Sequence, residues 1–432
     1  MIIKDTFILL NKMSLTINLA NLSFENREKI RTELEIKLEN KFGIGPPKYI
    51  YPYIIECDDI KLPFAYAVSL NIPRPKRQTF PSIDVKFDGQ LRPEQKIVRV
   101  NALEYLSKTG SIMISCPPGW GKTAGAINLA TSIKFKTLII VNKIVLIKQW
   151  KESILKFCPF AQIQTLTPQT KKQNVDFYII NAQNTEKMGK TFFSDIGTCV
   201  VDEAHMIMAE TLSKCLQYVY PRYLIGLTAT PYRPDGLDVL LNFYFGKHKI
   251  IRKLYREHIV YKVSTGFKPP VEKTIQGRIN WGAILDAQAN NEQRNNLIIR
   301  IIQHFNDRNF LVLVKRVEQG KYLLNNLKKY GESVTDLIGS NQEFNSEARI
   351  LIGTCQKVGV GFDHSKLDTL LLATDLEEYF VQYLGRIFRT KDHTPVVFDL
   401  VDENNILNKH FNTRRKVYQE LGGVIKDFNI FQ

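Results

Sequence analysis

From residue 89 onward, short apolar runs alternate with helical stretches, and they do so in two series. The first reads SIMIS, TLIIV, DFYII, TCVVD and YLIGLTAT; the second, from near residue 297, reads FLVLV, RILIGT, TLLLA and PVVFDL. A strand that is apolar at nearly every position must be covered on both faces, since a half-exposed strand alternates apolar with polar. Such runs, separated by helices, predict parallel sheets wrapped by helices, an α/β class. Two series predict two halves, over 89–265 and 297–432, joined by an inter-domain segment over 266–296. At 432 residues the chain is too long for one ordinary core.

Residues 1–75 read differently. The apolar stretches TFILLNKMSLTINLA, YIYPYIIECDDI and FAYAVSLNI flank a helical segment. In it Ser23 is the N-cap, Ile30, Leu34 and Leu38 recur at helical spacing, and Gly43 is the stop. This predicts a small α+β domain. A stiff linker over 76–88 follows, near Pro73, Pro75 and Pro81, with charge from Arg74, Lys76 and Arg77. The least regular region, 235–290, reads as an inserted hairpin or a linker. Its aromatics Phe243, Tyr244, Phe245, Tyr255, Tyr261 and Phe267 are expected in the core of a small insertion rather than stacked on bases. NKHFNTRRKVYQELGG predicts a last helix, ended by Gly422 or Gly423, with Arg414, Arg415 and Lys416 either on a polyanion or solvated.

Lys and Arg number 59 against 43 Asp and Glu, a net charge of +16, which favours a polyanionic partner, nucleic acid first. With 44% hydrophobic and 24% charged residues the chain is not globally disordered. The six cysteines form no C-x-x-C pair, which argues against a zinc cluster or disulfide framework and for a reducing compartment. No apolar run reaches the roughly 18–20 residues of a membrane span, and the N-terminus lacks a signal-peptide pattern. The expectation is an intracellular, soluble protein with no membrane partner.

Three strings carry chemistry. In CPPGWGKT (116–123) the loop Pro118-Gly119-Trp120-Gly121 lies between a predicted strand and helix. Backbone N–H groups there, with the positive helix end, can cradle nucleotide phosphates. Lys122 can reach the β- and γ-phosphates of ATP, and the Thr123 hydroxyl can ligate Mg²⁺. Cys116 stands where G-x-x-x-x-G-K-[ST] has its first glycine. In DEAH (202–205), Asp202 sits at a strand's C-terminal end and can hold Mg²⁺, while Glu203 can orient or deprotonate a water. In QYLGRIFR (382–389), Gln382, Arg386 and Arg389 share one predicted helix face, and two arginines can stabilise phosphoryl-transfer charge, worth roughly 10³–10⁵ in rate.

With these residues in view, the chain resembles the superfamily 2 helicases from Leu91 to its C-terminus. LRPEQ looks like the adenine-recognition element, with Arg92 and Gln95 as the implied contacts. CPPGWGKT, DEAH and TAT (228–230) match motifs I, II and III; VNKIVLIKQW (141–150) resembles Ia; FLVLVKRVEQG (310–320) resembles IV; IGTCQKVGVGFD (352–363) and QYLGRIFR match V and VI. The resemblance implies two tandem RecA-like domains that clamp ATP between them. It also implies coupling of hydrolysis through His205, Thr228 and Thr230, and a second cleft wall with Gly361 and Asp363. Asn142, Lys143, Lys315, Arg316 and Thr354 are the implied phosphate contacts to nucleic acid. LRPEQ with TATPYRPDG looks like the XPB/UvsW type, similar to phage branch-migration helicases and the poxvirus transcript-release helicase. The implied activity is a DNA-dependent ATPase, a monomer, that unwinds forked or branched DNA in recombination, repair or replication. Transcript release with an RNA polymerase partner, or an ATPase switch without unwinding, are the competitors. A viral source implies host cytoplasm or nucleoid. By analogy residues 1–75 bind duplex DNA.

Overall fold

The computed structural model of the protein describes residues 14–37, 49–70, 80–189, 191–207, 213–219, 221–229, 238–275, 277–359, 364, 366–376, 380–389 and 393–428. Leu38, Gly43, Pro73, Arg74, Pro75, Lys76, Arg77, Thr230, Gly361 and Asp363 lie outside them. The chain divides into two compact units, Met1–Arg252 and Lys253–Gln432. Among the described residues no helix is long and apolar enough to cross a membrane.

The first unit begins with β1 (Ser14–Asn18), β2 (Ile36–Lys37), β3 (Tyr49–Ile50), β4 (Ile54–Glu56) and β5 (Asp59–Pro63). β1, β5 and β4 form an antiparallel sheet in that order, and β2 pairs with β3. The helix between β1 and β2 runs only from Phe24 to Glu33. Ser23 Oγ caps it, accepting the Asn26 N–H at 3.1 Å. It stops well before Gly43: the Leu34 N–H closes on the Ile30 carbonyl, and Ile36 then pairs with Ile50. This N-terminal portion does not stand apart. Its helix Phe64–Ser69 packs on helix Asp238–Phe245, where Tyr66 meets Phe243 edge-on with ring centroids 5.3 Å apart. Phe64 joins Tyr244 and Phe245 in the core of the first unit.

That core is built on a seven-stranded, wholly parallel sheet: β6 (Ser111–Ser115), β7 (Thr137–Val141), β8 (Ile163–Leu166), β9 (Phe177–Asn181), β10 (Thr198–Val201), β11 (Tyr223–Thr228) and β12 (Lys249–Ile251). The order is β12-β6-β11-β10-β7-β9-β8. Every residue of β6, β7, β9 and β10 is buried, as a sheet covered by helices on both faces requires.

The second unit holds a second seven-stranded parallel sheet: β13 (His258–Ser264), β14 (Phe310–Val314), β15 (Val334–Leu337), β16 (Ile350–Thr354), β17 (Thr369–Leu372), β18 (Val396–Val401) and β19 (Gly423–Phe428). Its order is β15-β16-β14-β17-β18-β13-β19. The boundary expected at residue 265 is therefore corrected to Arg252, because β13 lies between β18 and β19. The segment 266–296 is likewise part of the second unit. There helix Trp281–Asn290 sends Gln288 Nε2 to Asp402 Oδ2 (2.6 Å), and helix Glu292–His304 sends Arg294 Nε to Asp402 Oδ1 (2.9 Å), all three residues buried. The aromatic run is no insertion either. Tyr244 and Phe245 are core residues of the first unit, Tyr261 stacks on Phe398 in the second, and Tyr255 is exposed. Arg414, expected at the surface, is buried in helix Asn405–Glu420. It donates to both Asp399 oxygens (2.8 Å each) and to Asp375 Oδ1 (2.9 Å).

Candidate active site

Parallel strands present their C-terminal ends along one edge, where open α/β sheets bind ligands. On the adjacent strands β7, β10, β11 and β6 that edge carries Asn142, Asp202, Thr228 and Cys116. The phosphate-loop string is tied to its neighbour: the Cys116 N–H donates to the Thr228 carbonyl at 3.0 Å. Cys116 itself points into the core, and burial pushes its thiol up to about 12, so it stays protonated. Gly119 (φ 77°) and Gly121 (φ 87°) take the left-handed backbone that lets the loop turn into helix Lys122–Ile133. A Cβ on Gly121 would sit 2.5 Å from Gln95 Nε2. The N-cap residue of this helix, Gly121, has no side chain to offer the first N–H groups. Lys122 Nζ rests on the carbonyls of Cys116 (2.9 Å) and Pro117 (3.3 Å); Thr123 follows, half-buried.

Helix Pro93–Thr109 covers the loop. Pro93 is its first residue, and Gln95 Oε1 accepts the Arg92 N–H at 2.9 Å, the reciprocal half of a capping box. Gln95 Nε2 (3.0 Å) and Arg92 Nη2 both donate to the Trp120 carbonyl. The two residues read as adenine contacts thus grip the phosphate loop itself. The Pro-x-Gln spacing signals the cap; nothing in the string signals the grip.

Asp202 is buried, with the Glu203 N–H on Oδ1 (3.0 Å) and the Trp150 indole N–H on Oδ2 (2.8 Å). Burial, then the neighbouring Glu203 charge, pushes its pKa up to about 6, opposed by the Trp150 hydrogen bond and by Lys122. Glu203 has a left-handed backbone, φ 47°, and its Oε2 lies 3.5 Å from His205 Nδ1. His205, also buried, shares a 2.8 Å hydrogen bond between Nδ1 and Thr228 Oγ1. DEAH and the threonine of TAT are therefore joined through one imidazole. Trp150 closes the string VNKIVLIKQW, whose letters do not signal this hydrogen bond.

Lys143 is the N-cap residue of helix Ile144–Phe157 and Arg316 that of helix Val317–Lys329, each just after a central strand, β7 and β14. Neither of these two side chains makes a capping hydrogen bond. Burial lowers the Lys143 pKa, with Glu203 acting against it, and Asn142 Oδ1 is buried without a hydrogen-bond partner among the described residues. Lys315 is exposed. Arg316 is occupied, its Nε on Asp286 Oδ1 at 2.6 Å and its Nη2 on the Gly282 carbonyl. Thr354 closes β16, half-buried.

In the second unit, Gln382 and Arg386 are buried on helix Phe380–Ile387. Arg389 lies beyond the helix end, so the single helical face expected for both arginines is corrected. Burial lowers the Arg389 pKa. The turn is fastened by Arg256, which donates to the Phe388 carbonyl (2.5 Å) and the His393 carbonyl (3.0 Å). The Tyr383 hydroxyl donates to the Cys355 carbonyl (2.8 Å), tying QYLGRIFR to the string that follows β16.

The loop fits a nucleotide's phosphates: a helix N-terminus, two left-handed glycines and a lysine that among the described residues meets carbonyls alone suit an anion. Among the described residues no group of three or more His, Cys, Asp or Glu could hold a metal. Asp202 and Thr123 are oxygen donors of the kind that Mg²⁺ takes when phosphates complete its shell.

Residues 88–233 match the family described as "Type III restriction enzyme, res subunit". The chain is 44% identical to "Putative helicase 161L" of Invertebrate iridescent virus 6, across 97% of this chain and all of that protein. It is 24% identical to "DNA 3'-5' translocase XPB2" of Sulfurisphaera tokodaii, across 68% of this chain and 78% of that one. Among solved structures, Dbp5 of S. cerevisiae bound to RNA and ADP BeF3 superposes with a TM-score of 0.54 at 14% identity, covering 78% of this chain and 94% of that one. That likeness shows the fold: tandem RecA-like sheets. Carrying the ordered motifs and so close a relative along nearly its whole length, the chain belongs to the superfamily 2 helicases, related to the XPB/UvsW type.

Proposed function

We propose that the chain hydrolyses ATP to move along DNA and so remodels forked or branched duplexes. The observation that carries this is the arrangement on one sheet edge of the Lys122 loop, the Asp202–Glu203 pair and the His205–Thr228 bond. In this reading Lys122 and the N–H groups of helix Lys122–Ile133 bind the phosphates, and Thr123 and Asp202 hold Mg²⁺. When bound, the metal withdraws charge from the phosphate oxygens. Glu203 takes the proton of the attacking water, and its 3.5 Å approach to His205 links that event to Thr228. Gln382, Arg386 and Arg389 meet the charge that develops on phosphoryl transfer. Asn142, Lys143, Lys315 and Thr354 contact backbone phosphates; Arg316 does so only by leaving Asp286. The N-terminal portion binds duplex. DNA is favoured over RNA by the LRPEQ and TATPYRPDG strings and by the XPB2 relative, which is named a DNA translocase.

The test is ATPase stimulation and strand displacement measured across single strands, plain duplexes, forks, four-way junctions and RNA. Forks or junctions should stimulate most. Stimulation by RNA alone, or ATPase without displacement on any substrate, would refute the DNA-remodelling reading. Lys122→Ala should lose turnover by about 10²-fold or more. Wild-type turnover in that variant would refute the site.

A further inference from the structure

Trp150 and Asp202 are separated by 52 positions, and the hydrogen bond between them is buried. An indole offers one donor and no acceptor. Here that donor is spent on a carboxylate oxygen, while the Glu203 N–H takes the other oxygen. Two donors on two oxygens fix the plane of the carboxylate and leave lone pairs on each for a further partner. The ring comes from helix Ile144–Phe157, where Leu146, Trp150 and Ile154 make the buried stripe. The same helix starts immediately after Asn142 and Lys143, and Lys143 feels the charge of Glu203. This helix therefore reaches the acidic pair through the Trp150–Asp202 hydrogen bond, with Asn142 and Lys143 at its start.

We propose that Trp150 is a positioning residue for Asp202. Its N–H sets the carboxylate orientation needed to receive Mg²⁺, and so ties metal capture at the nucleotide to the helix that carries Asn142 and Lys143. The inference rests on the reading of Asp202 as a metal ligand. Trp150→Phe keeps an aromatic ring in the core and removes the donor together with part of the buried ring system. Charge-assisted hydrogen bonds are the stronger class, so the loss should be about ten-fold in whatever depends on carboxylate orientation.

The experiment measures binding of a fluorescent ATP analogue to the full chain, once with Mg²⁺ and once with EDTA. In the wild type, Mg²⁺ should tighten binding. In Trp150→Phe the metal-free affinity should stay within about two-fold of wild type, while the gain on adding Mg²⁺ falls about ten-fold. Equal loss with and without metal would mark Trp150 as packing only and overturn the proposal, as would an unchanged Mg²⁺ gain. Asp202→Asn separates the two layers. If it keeps the full Mg²⁺ gain, the metal reading itself fails; if it loses the gain and Trp150→Phe does not, only the role of Trp150 fails. Should Trp150→Phe unfold, benzothienylalanine at position 150 preserves the bicyclic shape with sulfur in place of N–H, and its Mg²⁺ gain decides the matter by the same criteria.

Discussion

Glu203 is the residue on which the site spends conformational energy. A non-glycine residue at φ 47° is held in a sparsely populated well, at about 1–3 kcal/mol for a side chain of this size. What holds it there is local: its N–H binds Asp202 Oδ1 and its carbonyl accepts the Met206 N–H at 2.8 Å. The turn sends the carboxylate toward His205. Asparagine tolerates this backbone better than glutamate. Glu203→Asn is therefore expected to leave the fold equal or more stable, by up to about 1 kcal/mol, while turnover disappears. Thermal unfolding and steady-state ATPase check the two halves. A marked fall in melting temperature would contradict the strain argument. DEAH was legible as a string because four adjacent letters define it. The strain at Glu203 was not, since no letter records a φ angle. Trp150 was not, since periodicity marks it as buried without saying that a carboxylate waits there.

At the scale of elements, the strand-helix alternation marked the apolar strands of both sheets but not β8, β12, β15 and β19, which lie at the sheet edges, nor β13. HIVYKVS pairs with PVVFDL, which lies well over a hundred residues later, and with GVIKDF beyond that. Only register across the sheet decides, and register is a long-range fact. The same gap hid Arg414. NTRRKV reads as a basic surface patch, yet one of its arginines turns inward to two buried carboxylates, with the Tyr418 hydroxyl on Asp399 at 2.9 Å. Removing one partner of a buried pair leaves charge uncompensated, which costs about 3–5 kcal/mol. Arg414→Leu should lose that much in urea denaturation of the full chain, whereas Arg415→Leu, at the exposed neighbouring position, should lose about 0.5 kcal/mol or less. Equal effects would contradict the anchoring of helix Asn405–Glu420 through Arg414.

For the whole molecule, the net charge of +16 sets the expectation for nucleic acid. Each phosphate neutralised releases counterions, so DNA affinity should fall steeply and linearly in log–log form as salt rises; a flat response would remove the electrostatic account. Two buried groups make stability depend on pH with opposite signs: Asp202, whose pKa is pushed up to about 6, favours the folded state as pH falls, and His258 disfavours it. His258 is buried, its Nδ1 donating to the Arg256 carbonyl at 2.8 Å, and burial lowers its pKa below the ordinary 6.5. The unfolded chain then takes up the proton first. The stabilisation is complete above pH 6.5 and is lost as pH falls through that value toward the depressed one. The melting temperature of the wild type relative to His258→Gln should fall between pH 7.5 and 5.5; a difference that stays constant across that range would contradict the role of His258. A last consequence follows from β12. This short strand pairs with β6, and the next N–H, that of Arg252, donates to the Ser115 carbonyl at 2.8 Å. Lys253 then opens the second unit. The polypeptide that joins the two motor halves is thus stitched to the strand that ends at the phosphate loop. Tension along that tether would fall first on the hydrogen bond from Arg252 to Ser115, the last residue before CPPGWGKT.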